Sequence, residues 1–166
     1  NIPPPSALRQ KEAYYNRDGL TPPSTIGESV YTSIRFFRDS LFAVGARGKS
    51  FIEGSSDMIS FDSILYIHEP FQPDYVYDTR EVSNGDQQYT TAVAVLRDSV
   101  LLIFKERSIY YLSGTSVDNY VVRTMDTRRG AVSPHSVQET PFGVFALDRS
   151  GVILCDAVGE AKLVSN

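Results

Sequence analysis

The fold is decided by residues 91–114, which read TAVAVLRDSVLLIFKERSIYYLSG. This stretch holds three short apolar runs, at 92–96, 100–104 and 109–112. Runs of about five residues that are rich in β-branched and aromatic types, with polar turns between them, are typical of an antiparallel meander. Because the runs are apolar on both strand faces, the sequence predicts that other layers pack above and below this sheet.

The same pattern occurs twice more along the chain. An apolar strand is followed by a polar turn that ends in serine, and then by two further apolar strands. The three turns end at Ser40, Ser99 and Ser150. A β-only unit that recurs at roughly 50 to 60 residues is typical of β-propeller blades. We therefore predict an all-β fold of antiparallel meander repeats that forms part of a β-propeller; the alternative is an ordinary β-sandwich whose hairpins resemble one another.

The chain divides into two regions by composition. Residues 1–28 hold five of the nine prolines and are predicted to form an extended N-terminal arm or linker, with a short helix at about 6–16. Tyr14 and Tyr15 in this arm are candidate partner contacts, because exposed tyrosines are costly. Residues 29–166 are predicted to form about three β-meander repeats. Three blades cannot close a ring and the chain opens on Asn1, so we expect another segment or another chain to supply the remaining blades.

Two segments lie between the repeats. Residues 57–88 contain Pro70 and Pro73, and we interpret them as a loop-rich passage from the first blade to the second, with short strand candidates at 64–67 and 75–77. Residues 120–125 are predicted to be a fourth strand of the second repeat.

Composition limits the classes of function. A hydrophobic content of 42% and a charged content of 22% are globular values. The formal net charge of −4 argues against a general nucleic-acid binder. The single cysteine, Cys155, allows no internal disulfide and no cysteine metal site, and its place in an apolar strand predicts a buried thiol.

Residues 43–50, AVGARGKS, match a relaxed phosphate-binding P-loop. Such a loop requires a helix directly after the lysine, so that backbone amides and the helix N-terminus meet the phosphates. The residues that follow, Phe51 to Gly54, have a strand pattern instead. We expect no nucleotide binding here.

The sequence shows no catalytic constellation. His68 and His135 are far apart and have no ligand-spaced partners. No nucleophile elbow and no paired carboxylates are present, so we expect no enzyme activity, no cofactor and no metal site. The densest basic cluster is Arg123, Arg128 and Arg129, whose two interpretations are a solvated turn and a contact with phosphate or an acidic neighbour.

Two stretches, LLIFKERSIYYLSG at 101–114 and RRGAVSPHSVQETPFGVFALDRSGVILCD at 128–156, resemble a pattern in virion proteins of tailed bacteriophages. The family is that of the large β-propeller-bearing tail or head-completion proteins of short-tailed phages, including tail-nozzle and connector-hub subunits. The shared motif is an apolar strand pair, a Gly-x-x-Ser/Ala-Pro-x-Ser turn and a Gly-hydrophobic strand. Its residues here are Gly130, Ser133, Pro134, Ser136, Gly143 and Gly151.

The resemblance implies a structural virion protein of a phage tail or head-to-tail connector, which acts by assembly and not by catalysis. Its partners would be other virion subunits, in a homo-oligomeric ring or as remaining segments of the same polypeptide, rather than a membrane or nucleic acid. The alternative is a propeller-type carbohydrate-binding or glycosidase module. That class favours repeated Ser-x-Asp-x-Gly boxes, clustered carboxylates and stacking tryptophans, and this sequence has no Trp.

Overall fold

A computed structural model describes residues 31–45, 50–51, 58–59, 63–83, 86 and 88–165. The predicted arm at 1–28, with its short helix and with Tyr14 and Tyr15, lies outside these residues.

The described chain is all-β. Its fourteen strands are β1 (Ser33–Phe37), β2 (Ser40–Val44), β3 (Ser50–Phe51), β4 (Met58–Ile59), β5 (Ile64–Glu69), β6 (Gln72–Glu81), β7 (Thr90–Leu96), β8 (Val100–Lys105), β9 (Ile109–Ser113), β10 (Val121–Asp126), β11 (Gln138–Thr140), β12 (Gly143–Asp148), β13 (Gly151–Cys155) and β14 (Lys162–Ser165). Two single-turn 3-10 helices, Val117–Asn119 and Pro134–Ser136, lie in connections.

Three four-stranded antiparallel sheets follow one another along the chain. Sheet 1 is β1-β2-β5-β6, sheet 2 is β7-β8-β9-β10, and sheet 3 is β11-β12-β13-β14. Consecutive strands pair within each sheet, except where the β3–β4 hairpin is inserted into sheet 1 between its second and third strands. The prediction of an all-β chain built from antiparallel meanders is therefore confirmed, and β10 is the predicted fourth strand of the second repeat.

Sheet 2 lies between the other two sheets. Along β8, Leu101 and Ile103 pack in a cluster with sheet 1, whereas Leu102 and Phe104 pack in a cluster with sheet 3. The sheet 1 partners include Phe37, Phe42, Val44, Leu65 and Ile67. The sheet 3 partners include Val144, Ala146, Ile153 and Cys155. The predicted burial of both faces of this sheet is confirmed.

The outer faces of sheets 1 and 3 are also apolar, but they are open. Ile34 and Phe36 alternate along β1 with residues that face sheet 2, and they are 47% and 66% exposed. On sheet 3, Leu147 follows the buried Ala146 and is 45% exposed. The three-sheet stack thus ends in a partly exposed apolar face on each side.

The three turns that end in serine do not all join the same pair of strands within their sheets. Arg38-Asp39 and Arg97-Asp98 each join the first and second strands of their sheet, with φ values from 48° to 65° at all four residues. Two successive left-handed residues make the tight turn that suits the twist of a hairpin. The third turn, Arg149-Ser150, joins the second and third strands of sheet 3. The alignment of Ser150 with Ser40 and Ser99 is therefore wrong by one strand, because sheet 3 has the short β11 before its long apolar pair.

Two further sequence interpretations need correction. Residues 57–88 are not mainly a passage between blades, because they contain β5 and β6, the third and fourth strands of sheet 1. Pro73 is accommodated because, among the described strands, β6 pairs with β5 alone, and an edge strand tolerates a missing amide donor. Phe51 does lie in a strand, as predicted, but this strand pairs with β4 and not with sheet 1.

Candidate functional site

The first strands of the three sheets lie side by side. β7 contacts both β1 and β11. Because β7 is an edge strand, its outward amides need partners from other elements. The Val93 amide donates to Ser33 Oγ at 3.1 Å, and the Val95 amide donates to Glu139 Oε1 at 2.8 Å. Side chains of β1 and β11 thus accept hydrogen bonds from two amides on the free edge of β7.

Glu139 also joins sheet 3 directly to sheet 1. The Arg35 Nε donates to Glu139 Oε1 at 2.9 Å. An ion pair between side chains as exposed as these contributes little to stability by itself, typically about 0.2 to 1 kcal/mol. Its significance is geometric, because one carboxylate is held by β1 and β7 at once and so fixes the spacing of the three first strands.

Arginines of the first hairpin turns form a second, repeated link between sheets. Arg38 of sheet 1 donates through Nη2 to the Ser99 carbonyl of the sheet 2 turn at 3.3 Å. Arg97 of that turn donates through Nη2 to the Phe142 carbonyl at 3.1 Å, in the turn between β11 and β12. The same type of residue therefore reaches the equivalent hairpin of the next sheet in both cases.

A buried lysine links sheet 2 to the end of sheet 1. Lys105 is fully buried, and its Nζ lies 2.8 Å from each carboxylate oxygen of Asp86. It also donates to the Ser83 carbonyl at 3.0 Å and to Ser63 Oγ at 3.4 Å. A buried ammonium requires a charged partner and several acceptors, and this site supplies both. The sequence pattern alone predicts only that Lys105 lies in the polar turn between the runs at 100–104 and 109–112.

A pocket of about 480 Å³ lies at the opposite end of the sheets from the Arg-Asp turns, and four arginines line it. Two of them, Arg128 and Arg129, belong to the basic cluster found in the sequence. The other two, Arg107 and Arg149, come from the β8–β9 turn and the β12–β13 turn. Sequence spacing could not reveal them, because these turns meet only when sheets 2 and 3 stack. Arg123 does not line the pocket; it lies exposed on β10, opposite Tyr111.

Asp148 is the carboxylate that lines this pocket. It accepts hydrogen bonds from the Gly130 amide at 3.0 Å and from the Ser150 amide at 2.9 Å, and also from the Ser150 hydroxyl. Burial opposes ionisation, but these hydrogen bonds together outweigh it and lower the pKa of Asp148 below its usual value. The Asp148 carboxylate therefore makes its hydrogen bonds within the protein, where it holds the segment that carries Arg128 and Arg129 against β12.

The remaining candidate residues, one cysteine and two histidines, lie in positions typical of structural residues. Cys155 is buried in β13, as predicted, and burial with help from Asp126 and Asp156 raises the pKa of its thiol to about 12. His68 is buried in β5, where its ring packs edge-on against Tyr31 at a centroid distance of 5.9 Å. His135 is exposed in the 3-10 turn that Ser133 caps.

The P-loop-like segment is described only in part. Ser50, the last residue of that motif, begins strand β3, where the phosphate site would require a helix. Residues 46–49 lie outside the described chain.

Within the described ranges, no group of three or more His, Cys, Asp or Glu side chains is arranged to hold a metal ion. The helices found among these residues are single turns, so none could cross a membrane.

Comparisons with known proteins do not assign the chain to a family. No protein-family model matches the chain, and a search of curated proteins found no significant match.

Proposed function

We propose that this chain contributes three blades to a β-propeller and acts as a structural virion component of a phage tail or head-to-tail connector. The proposal combines the arrangement of the three sheets with the sequence resemblance carried by residues 101–114 and 128–156. In this function the chain works by assembly, and its surfaces are used to pack against neighbouring sheets.

The convergence of the three first strands supports a propeller. In propellers, successive four-stranded meanders are arranged radially, and the first strand of each lies nearest the axis. Here β1, β7 and β11 lie together, linked by Ser33, Val93, Val95 and Glu139. A β-sandwich would instead have two packed sheets, each with one face in the core and one face in solvent. In this chain the middle sheet is buried on both faces.

The outer faces of the stack support a requirement for additional sheets. Exposed contiguous apolar surface commonly marks an interaction site. Phe36 on sheet 1 and Leu147 on sheet 3 lie at positions that a further sheet would cover. We propose that further blades, from the same polypeptide or from other virion subunits, cover these faces.

Sedimentation velocity tests this assembly argument. The 166-residue chain expressed alone should self-associate, because its two outer apolar faces lack their neighbours. Phe36→Ser combined with Leu147→Ser should shift the distribution towards monomer. Val121→Ser, at an exposed apolar site on β10 of sheet 2, is the matched control and should leave the distribution unchanged. A monodisperse, cooperatively folded monomer of the unsubstituted chain would contradict the proposal.

The virion location requires a separate measurement. Antibodies to the chain should label phage particles that contain it at the tail or the head-to-tail junction in electron micrographs. Labelling confined to the head shell, or absence of the chain from purified particles, would remove the virion function while leaving the assembly argument intact.

A further inference from the structure

We infer that the arginine pocket between sheets 2 and 3 binds a small phosphate-class anion. The pocket is open to solvent, has a volume of about 480 Å³, and is lined by Arg107, Arg128, Arg129 and Arg149 together with Asp148. A volume of this size lies within the range of small-ligand sites, about 300 to 1,000 Å³. Four arginines on three separate connections line it, although they are dispersed in the sequence.

Three of these guanidinium groups are available to a ligand. Among the described residues, Arg107 has no ion pair and no side-chain hydrogen bond. Arg149 lies 3.5 Å from Glu106, and Arg128 lies 3.7 Å from Glu160 and 3.9 Å from Asp126. These separations exceed that of a charge-assisted hydrogen bond, about 2.7 to 2.9 Å, so an anion that approaches closely would make better contacts. Both arginines are mostly exposed, so little desolvation opposes the exchange.

Arg129 and Asp148 provide the frame of the pocket. Arg129 donates through Nη1 to the Ala161 carbonyl, which ties the connection between β10 and β11 to the segment before β14. Asp148 accepts from the amides of Gly130 and Ser150, so its oxygens are directed into the protein and are already occupied. Arg129 and Asp148 are therefore held in place before any ligand binds. The side chains of Arg107, Arg128 and Arg149 are the ones that can reorient towards a ligand.

The number of available arginines decides the ligand class. A carboxylate has two oxygens and is satisfied by one bidentate guanidinium, whereas a phosphate group offers acceptors to several guanidinium groups at once. Three adjustable arginines around one pocket therefore favour phosphate over carboxylate. Leu163 supplies the apolar part of the lining.

Inorganic pyrophosphate is a suitable probe, and isothermal titration calorimetry at low ionic strength is the measurement. We expect binding to the 166-residue chain, and weaker binding of acetate at the same ionic strength. Arg107→Ala and Arg149→Ala should each weaken pyrophosphate binding about tenfold, because each removes a hydrogen-bonded charge. Arg123→Ala removes an exposed arginine outside the pocket and is the matched control, with no expected change beyond twofold. Equal loss in all three variants would show only nonspecific charge attraction and would overturn the site.

Glu106→Gln gives a second test, because it should strengthen pyrophosphate binding, whereas a variant that failed to fold would weaken it. Removing this carboxylate releases Arg149 from its 3.5 Å pair, so pyrophosphate should bind about two to five times more tightly. Unchanged or weaker binding in Glu106→Gln would contradict the role of Arg149. The site lies wholly between sheets 2 and 3, so its failure leaves the proposed assembly function untouched, and the reverse also holds.

Discussion

Sheet 2 and sheet 3 have the same meander topology, but equivalent strands are buried to different extents. In β8, the second strand of sheet 2, five of the six residues are buried, whereas β12, the second strand of sheet 3, has four of six buried and leaves Leu147 exposed. The difference comes from stacking, because sheet 2 has a neighbour on each face and sheet 3 has a neighbour on one. Burial in this fold therefore depends on the position of a sheet in the stack more than on its own hydrogen bonding.

The largest expected effect contrasts the core of sheet 2 with the outer face of sheet 3. Leu102→Ala and Ile103→Ala, which remove side chains from opposite faces of β8, should each lower the free energy of unfolding by about 2 to 5 kcal/mol. Leu147→Ala on the outer face is the control and should cost less than about 1 kcal/mol, because this leucine is already 45% exposed. Denaturant unfolding measures all three. A loss below about 1 kcal/mol at both β8 positions would show that sheet 2 is not the centre of the core.

A glycine at the interface of sheets 2 and 3 should be nearly as sensitive. A Cβ on Gly130 would lie 2.3 Å from the Lys105 carbonyl oxygen and 2.6 Å from the Arg107 amide nitrogen. Backbone cannot move away as a flexible side chain can, so Gly130→Ala should cost about 3 kcal/mol, the upper end for overpacking. Thermal unfolding is the measurement. Gly159→Ala is a useful comparison, because a Cβ there meets no atom within 4 Å and only its φ of +151° is unfavourable.

The link between sheet 2 and sheet 1 can be weakened without opening a cavity. Lys105→Met keeps the length of the buried side chain but removes the hydrogen bonds to Asp86 and to the Ser83 carbonyl. We expect a loss of about 2 kcal/mol, the value for hydrogen bonds to a charged group, since Asp86 is partly exposed and can be rehydrated. The double variant Lys105→Met with Asp86→Asn should recover part of this loss in a double-mutant cycle. A double variant no more stable than Lys105→Met alone would argue against the pair.

The smallest effect concerns the cap at Asp148 and depends on pH. The folded pKa of Asp148 is below its unfolded value, so its carboxylate stabilises the fold fully above the unfolded pKa of about 3.9. That stabilisation is lost as pH falls through the folded pKa. Asp148→Asn should therefore cost about 1 kcal/mol near neutral pH, as for loss of a capping side chain, and progressively less below about pH 4. A difference between the two proteins that is constant down to pH 2 would contradict this assignment.

The motif residues of the phage resemblance have physical reasons in the structure. Gly130 is needed because it packs against the backbone of the β8–β9 turn. Gly143 has a φ of +142°, and a Cβ there would lie 2.4 Å from the Cys155 carbonyl oxygen. Ser133 caps the 3-10 turn by accepting from the His135 amide, and Pro134 occupies the first position of that turn. These are requirements of strand pairing and turn geometry, so the motif by itself predicts a fold and not a binding specificity.

The fold class was accessible from sequence because it depends on local pattern. Short apolar runs at 92–96, 100–104 and 109–112 give a meander in any surroundings that bury both faces. In residues 57–88 the strand candidates at 64–67 and 75–77 do lie in β5 and β6, but the two prolines led to a loop-rich interpretation and to strands that were too short. In the described part of the chain β6 has a strand partner on one side only, so proline there costs little and leaves an ambiguous pattern.

By itself, the sequence determined that the chain is β-rich, that its central runs are buried on both faces, and that polar turns ending in serine recur. These properties follow from side-chain period and turn chemistry, which act over a few residues. Only the tertiary structure decided which turns are equivalent, which arginines share a pocket, and that Lys105 meets Asp86. Those relations join residues from different sheets, and their geometry is set by how the sheets stack, which no local pattern records.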